Sequence, residues 1–130
     1  MLILYVEDDL EDAALFTDII ALVNPDIELI HTKNGREALD YLEESTMEPD
    51  CIFLDVNMPI MNGQEMLLSL QRDHRLKKIP VIIYTTSNVP SDKDRFLKMG
   101  AHQFVVKHSL LNQAVEGIKK VIYSLVDSKP

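Results

Sequence analysis

Hydrophobic and polar positions follow two different periods along this chain, and together they predict five strands interleaved with five helices. Five short apolar runs rich in β-branched residues read as strands: Leu2 to Val6, Ile27 to Ile30, Cys51 to Leu54, Val81 to Tyr84 and Phe104 to Val106. The first, third and fourth are continuously apolar, as a parallel strand buried on both faces requires. Ile27-Glu28-Leu29-Ile30 and the short Phe104 run read as sheet edges.

The intervening segments carry helical periodicity and terminal punctuation. Asp9 is placed to cap a first helix whose apolar positions are read as Leu10, Ala13, Ala14, Thr17, Ile20 and Ala21, with Asn24-Pro25 as its stop. Asn34-Gly35 opens a second helix through Ala38, Leu39 and Leu42, and Gly63 a third through Met66, Leu67 and Leu70. Ser91 is expected to cap a fourth, which carries Phe96 and Leu97 and stops at Met99-Gly100. The fifth has a row of Leu110, Ala114, Ile118, Val121 and Leu125, widened by Leu111, Val115 and Ile122. That second row reads equally as the edge of a broad core face or as part of a partner or homodimer surface.

Strict βα alternation predicts an α/β fold: right-handed crossovers and a parallel five-stranded sheet, doubly wound, with helices on both faces. Five units are too few for the eight-stranded α/β barrel. The length of 130 residues suits one domain, which buries roughly two-thirds of its unfolded surface. Residues 1–130 are therefore expected to be one domain with no effector domain attached. The single Cys and the lack of a leader-like start predict a reduced, cytoplasmic setting. A net charge of −8 argues against direct nucleic-acid binding, and no apolar run approaches the ~18 residues of a membrane span.

In an open α/β sheet, ligands bind beyond the carboxyl ends of the strands. There the first strand delivers Glu7-Asp8-Asp9, the third Asp55, the fourth Thr85-Thr86 and the fifth Lys107. Turn chemistry explains any one of these alone; the combination is harder to ascribe to turns. Carboxylates 4 Å apart repel by about 4 kcal/mol at an effective dielectric near 20, so the rim calls for positive charge. Lys107 supplies one, and an all-oxygen donor set favours Mg²⁺ over zinc or copper. A cation beside a carboxylate, a hydroxyl and a lysine suits phosphoryl transfer, with Asp55 offering the attacking oxygen.

Four stretches carry a resemblance: Ile3-Leu4-Tyr5-Val6-Glu7-Asp8-Asp9, Phe53-Leu54-Asp55-Val56-Asn57-Met58-Pro59-Ile60-Met61-Asn62-Gly63, Pro80-Val81-Ile82-Ile83-Tyr84-Thr85-Thr86-Ser87 and Phe104-Val105-Val106-Lys107. In order, spacing and strand context the chain resembles the receiver domains of two-component response regulators, here of the stand-alone type. The resemblance implies a flavodoxin-like strand order, 2-1-3-4-5. It also implies that Asp55 accepts a phosphoryl group, in a Mg²⁺-dependent reaction, from a sensor histidine kinase or a histidine phosphotransfer protein. Such a protein is not a conventional enzyme; it catalyses its own phosphorylation and autodephosphorylation. It then signals to a downstream protein target or passes the phosphoryl group on in a phosphorelay.

Position by position, the resemblance assigns Asp8, Asp55 and the backbone carbonyl of Asn57 to Mg²⁺, with Glu7 acting through a bound water. Thr85 donates its hydroxyl to a phosphoryl oxygen, and Lys107 pairs with the carboxylate before transfer and the phosphoryl afterwards. Thr85 and Phe104 form the switch pair, and Asn57 and Ser87 tune hydrolysis. The family lysine is usually followed by proline after a cis peptide, but here His108 follows Lys107. A cis bond before a non-proline costs ~3–4 kcal/mol instead of ~0.5–1, which leaves both isomers open. The switch aromatic is Phe where Tyr is common, so it brings no hydroxyl.

Other features have plainer readings. His108 is a loop histidine before it is a pH sensor or second acceptor, and His31, His74 and His102 lack ligand spacing. Cys51 packs as a small apolar side chain, and Met58 and Met61, flanking Pro59 in the loop after Asp55, are read as packing over the site. Lys77-Lys78 and Lys119-Lys120 are solvated charge runs, and Gly117 invites a close contact on the fifth helix. A phosphatase-like hydrolase is the rival in another class. Such enzymes place a general-acid aspartate two residues after the nucleophile, where this chain has Asn57. A degenerate receiver serving as a scaffold is the third alternative.

Overall fold

The computed structural model describes residues 1–56, 58 and 61–127. Five strands, β1 (Leu2–Val6), β2 (Glu28–Thr32), β3 (Cys51–Leu54), β4 (Val81–Thr85) and β5 (Gln103–Val106), alternate with five helices. These are α1 (Leu10–Val23), α2 (Gly35–Glu44), α3 (Gly63–Gln71), α4 (Pro90–Lys98) and α5 (Leu111–Asp127), with one 3₁₀ turn at Leu76–Lys78. All strands pair in parallel, in the order β2-β1-β3-β4-β5. The α/β alternation is as the sequence predicted, and the strand order is the flavodoxin-like one, 2-1-3-4-5, that the resemblance implied.

Alternation along the central strands divides the core into two layers. Leu4, Val6, Ile52, Leu54, Val81 and Ile83 face α2, α3 and Phe96 of α4. Ile3, Tyr5, Cys51, Phe53, Ile82 and Tyr84 face α1 and α5. Every residue of β1, β3 and β4 is buried, whereas the edge strands β2 and β5 are mostly half-buried. On the α1/α5 side Tyr5 stacks on Phe16 at 4.1 Å, and Phe16 meets Phe53 at 5.0 Å and Tyr84 at 5.5 Å.

Four local readings are corrected. The inward row of α1 is Ala13, Phe16, Ile19 and Ile20, while Leu10 is 69% exposed and Ala14, Thr17 and Ala21 face solvent. This helix carries apolar residues on several sides, and the large Phe16 ring fixes which side faces the sheet. Ser91 does not cap α4: Val89 precedes the helix, Pro90 occupies its first turn and no side chain caps it. β2 runs Glu28–Thr32 instead of Ile27 to Ile30, because its register against β1 pairs Leu2 with Glu28 and Val6 with Thr32. Leu110 precedes α5 and is 56% exposed, whereas Ile122 joins the core row. The widening row therefore splits: Ile122 is core, Val115 half-buried and Leu111 exposed.

The other helix signals act as read. Asp9 caps α1 by accepting from the N–H groups of Glu11 and Asp12, and Asn34 caps α2. Asn62 and Glu65 form a capping box at α3. Gly100 ends α4 at φ 108°, a left-handed conformation that favours glycine. Met58 is buried, as is Cys51, and Met61 packs against the α2/α3 layer. No described helix is long and apolar enough to cross a membrane.

Candidate functional site

Parallel pairing of β1, β3, β4 and β5 brings the ends of four strands to one rim. Glu7 and Asp8 follow β1, Asp55 follows β3, and Lys107 follows β5. One carboxylate oxygen from each of Glu7, Asp8 and Asp55 lies within 4.8 Å of the other two. Asp9, Asp12, Thr86 and Lys107 complete the lining of this polar recess. An all-oxygen set of three convergent carboxylates fits a hard divalent cation with retained water, and the donors present suit Mg²⁺ or Mn²⁺.

The three acids differ in surroundings. Glu7 is buried, and its carboxylate accepts from the Tyr5 hydroxyl at 3.0 Å, the Lys107 ammonium at 2.5 Å and the Asp9 N–H at 3.4 Å. Burial alone would raise its pKa; the hydrogen bond and charge of Lys107, helped by Asp9 and Tyr5, outweigh that and hold it below the ordinary value. Asp55 is also buried but lacks such support. Desolvation first, then the Glu7 charge, push it up to about 7 against the pull of Lys107. Asp8, exposed at the mouth, is raised mainly by desolvation, with the Glu7 and Asp9 charges adding to it.

Desolvation works against the charge of Lys107, but Glu7 and Asp12 outweigh it and raise its pKa. Its Nζ stands 3.0 Å from Asp12 Oδ2, 4.0 Å from Asp55 Oδ1 and 5.4 Å from the centre of the Tyr84 ring. The ammonium thus lies nearer to Glu7 and Asp12 than to Asp55. The Lys107–His108 peptide is trans, and His108 is exposed, with its ring close to Gly117.

Thr85 is fully buried, its Oγ1 accepting from the Ser87 N–H at 3.3 Å, so the neighbouring Thr86 lines the recess. The Ser87 hydroxyl donates to Asp92 at 2.7 Å. Phe104 is half-buried, stacks on Phe96 at 6.2 Å and borders a cleft of about 300 Å³ with Asn88, Val89, Pro90, Lys93 and Val106. Asn57, read as a carbonyl ligand and hydrolysis-tuning residue, lies outside the described residues.

Two participants escaped the sequence reading. Tyr5 shares a strand face with Glu7 two residues on, a spacing that was legible in principle. Asp12 stands three residues after the Asp9 cap, one turn into α1, where its carboxylate reaches Lys107.

Comparison with known proteins places these residues in context. The response regulator receiver domain profile matches residues 3–119. The polar-differentiation response regulator DivK of Brucella anthropi is 32% identical over 120 residues, covering 92% of this chain and 94% of that protein. Among solved structures, the phosphorylated cyanobacterial phytochrome response regulator RcpA superposes at TM-score 0.88 with 27% identity, covering 99% of this chain and 96% of its own. The Mn²⁺-bound form of the response regulator Rcp1 superposes at 0.84 with 25% identity and the same coverage.

Proposed function

The chain belongs to the response regulator receiver domain family of two-component signalling, and from that premise we propose that it is a phosphorylation-dependent switch with Asp55 as acceptor. The observation that carries this reading is the meeting of the Glu7, Asp8 and Asp55 oxygens within 4.8 Å beside the Lys107 ammonium. In the proposed reaction an Asp55 oxygen bonds to the phosphorus of a phosphohistidine on a histidine kinase or phosphotransfer protein. The phosphorus–nitrogen bond breaks, its electron pair stays on the imidazole, and an acyl phosphate results.

Asp8 and Asp55, with Glu7 behind them, would hold Mg²⁺, as would the Asn57 carbonyl by family resemblance. When bound, the ion supplies positive charge that neutralises phosphoryl oxygens. Lys107 offsets the remaining negative charge, and the Thr85 hydroxyl donates to a phosphoryl oxygen. Drawing Thr85 towards the phosphate would give up its contact with the Ser87 N–H, and by family resemblance Phe104 would move with it. Those differences between two states are what phosphorylation can bias. Ser87 and Asn57 would tune autodephosphorylation.

Residues 1–130 would act as one receiver domain in the cytoplasm, signalling through contacts with a downstream protein, through a homodimer, or by passing the phosphoryl group on. Its acidic balance gives no support to direct nucleic-acid binding. The test is labelling by acetyl phosphate, followed by intact-mass spectrometry. Labelling should need Mg²⁺ and disappear in Asp55→Asn. Equal labelling of that variant would refute the acceptor, and steady turnover of phosphomonoesters would favour a hydrolase.

A further inference from the structure

We propose that Asp12 is a positioning residue for Lys107: its carboxylate holds the ammonium on the α1 side of the recess before phosphorylation and releases it when Asp55 carries a phosphoryl group. The inference deepens the receiver reading and rests on it. The geometry shows the holding arrangement directly. Lys107 hydrogen-bonds Glu7 at 2.5 Å and Asp12 at 3.0 Å, while Asp55 Oδ1 lies at 4.0 Å, an ion-pair separation without a hydrogen bond. Two of the three ammonium donors are thus committed away from the acceptor.

The two holding carboxylates are not equivalent. Glu7 is 1% exposed and tied by the Tyr5 hydroxyl and the Asp9 N–H, so withdrawing its cation would strand a buried charge. Asp12 has a side chain 42% exposed in the first turn of α1, where water and the helix N-terminus can replace the lysine. Asp12 is therefore the partner that Lys107 can leave. Removing its carboxylate weakens the unphosphorylated arrangement without touching the Asp55 acyl phosphate, and should favour phosphorylation.

With acetyl phosphate, an Asp55 oxygen bonds to phosphorus and acetate departs with the electron pair of the broken phosphorus–oxygen bond. Asp12→Asn should label about three- to tenfold faster than the wild type, the range for one partly exposed charge-assisted hydrogen bond. Glu11→Gln removes the same charge from the same helical turn, and no hydrogen bond or ion pair joins Glu11 to Lys107 among the described residues. It should stay within about twofold of the wild type. In a Lys107→Ala background, with donor raised until labelling is measurable, Asp12→Asn should have no effect. The proposal fails if Asp12→Asn labels no faster, if Glu11→Gln gains equally, or if the gain survives loss of Lys107. An unlabelled wild type would instead overturn the acceptor assignment, and the inference with it.

Discussion

Replacing Asp55 by Asn should stabilise the fold, and the gain should grow with pH. Asp55 is buried, and its carboxyl titrates at about 7 against an ordinary 3.8, through desolvation and the Glu7 charge. The folded chain therefore keeps a proton that the unfolded chain has already lost, so stability falls as pH rises from about 4 to 7. At 1.36 kcal/mol per pH step, the difference 7 − 3.8 ≈ 3 costs about 4 kcal/mol once the group is ionised. Less than half of that is in force at pH 5. The Asn amide takes back part through its own hydrogen-bond needs, leaving a gain of ~2–4 kcal/mol above pH 7, or roughly 6–15 °C in Tm. Thermal melts of both proteins at pH 5 and pH 8, in chelator, would measure it. A stability gap that is equal at the two pH values, or a variant less stable than the wild type at pH 8, would refute the account of a desolvated Asp55 carboxyl.

Divalent cation should relieve the same strain: Mg²⁺ at ten times its dissociation constant should stabilise the wild type by about 1.4 kcal/mol, and Asp8→Asn should abolish most of the shift in a melt titration. Tyr5→Phe deletes the hydroxyl that donates to Glu7 at 3.0 Å and should cost ~1–2 kcal/mol in urea unfolding; no loss would mean that Lys107 and Asp9 alone satisfy the carboxylate. Gly63→Ala would set a Cβ 2.6 Å from Val56 Cα and 2.8 Å from the Asp55 carbonyl oxygen, both backbone atoms. It should destabilise by ~2–4 kcal/mol and slow Asp55 labelling, whereas Gly35→Ala, whose nearest contacts are side-chain atoms of Met61, should cost less.

Much of the fold was legible because its signals are local or compositional. The unbroken apolar runs of β1, β3 and β4 mark strands covered on both faces, and Asp9, Asn34 and Gly100 act within one turn of where they stand. Where several local options are close in energy, the reading slipped. α1 has apolar residues to offer on more than one side, and only the space beneath Tyr5, Phe53 and Tyr84 selects the Phe16 row. Ser91 is a good cap in isolation, yet the Pro90 start and the Ser87–Asp92 hydrogen bond belong to a different loop geometry.

The order of residues along the chain by itself determined the βα alternation, the two-faced burial of the central strands and the delivery of Glu7, Asp8, Asp55 and Lys107 to strand ends. Those follow from periodicity and from the rule that parallel strands end on one side. Tertiary structure alone decided which acid Lys107 reaches, that Asp12 on α1 shares it, and that Asp55 is left partly desolvated between them. Lys107 and Glu7 are 100 positions apart. Electrostatic partnership and desolvation depend on distances of a few ångströms, which no sequence spacing encodes once the chain has crossed the sheet and returned.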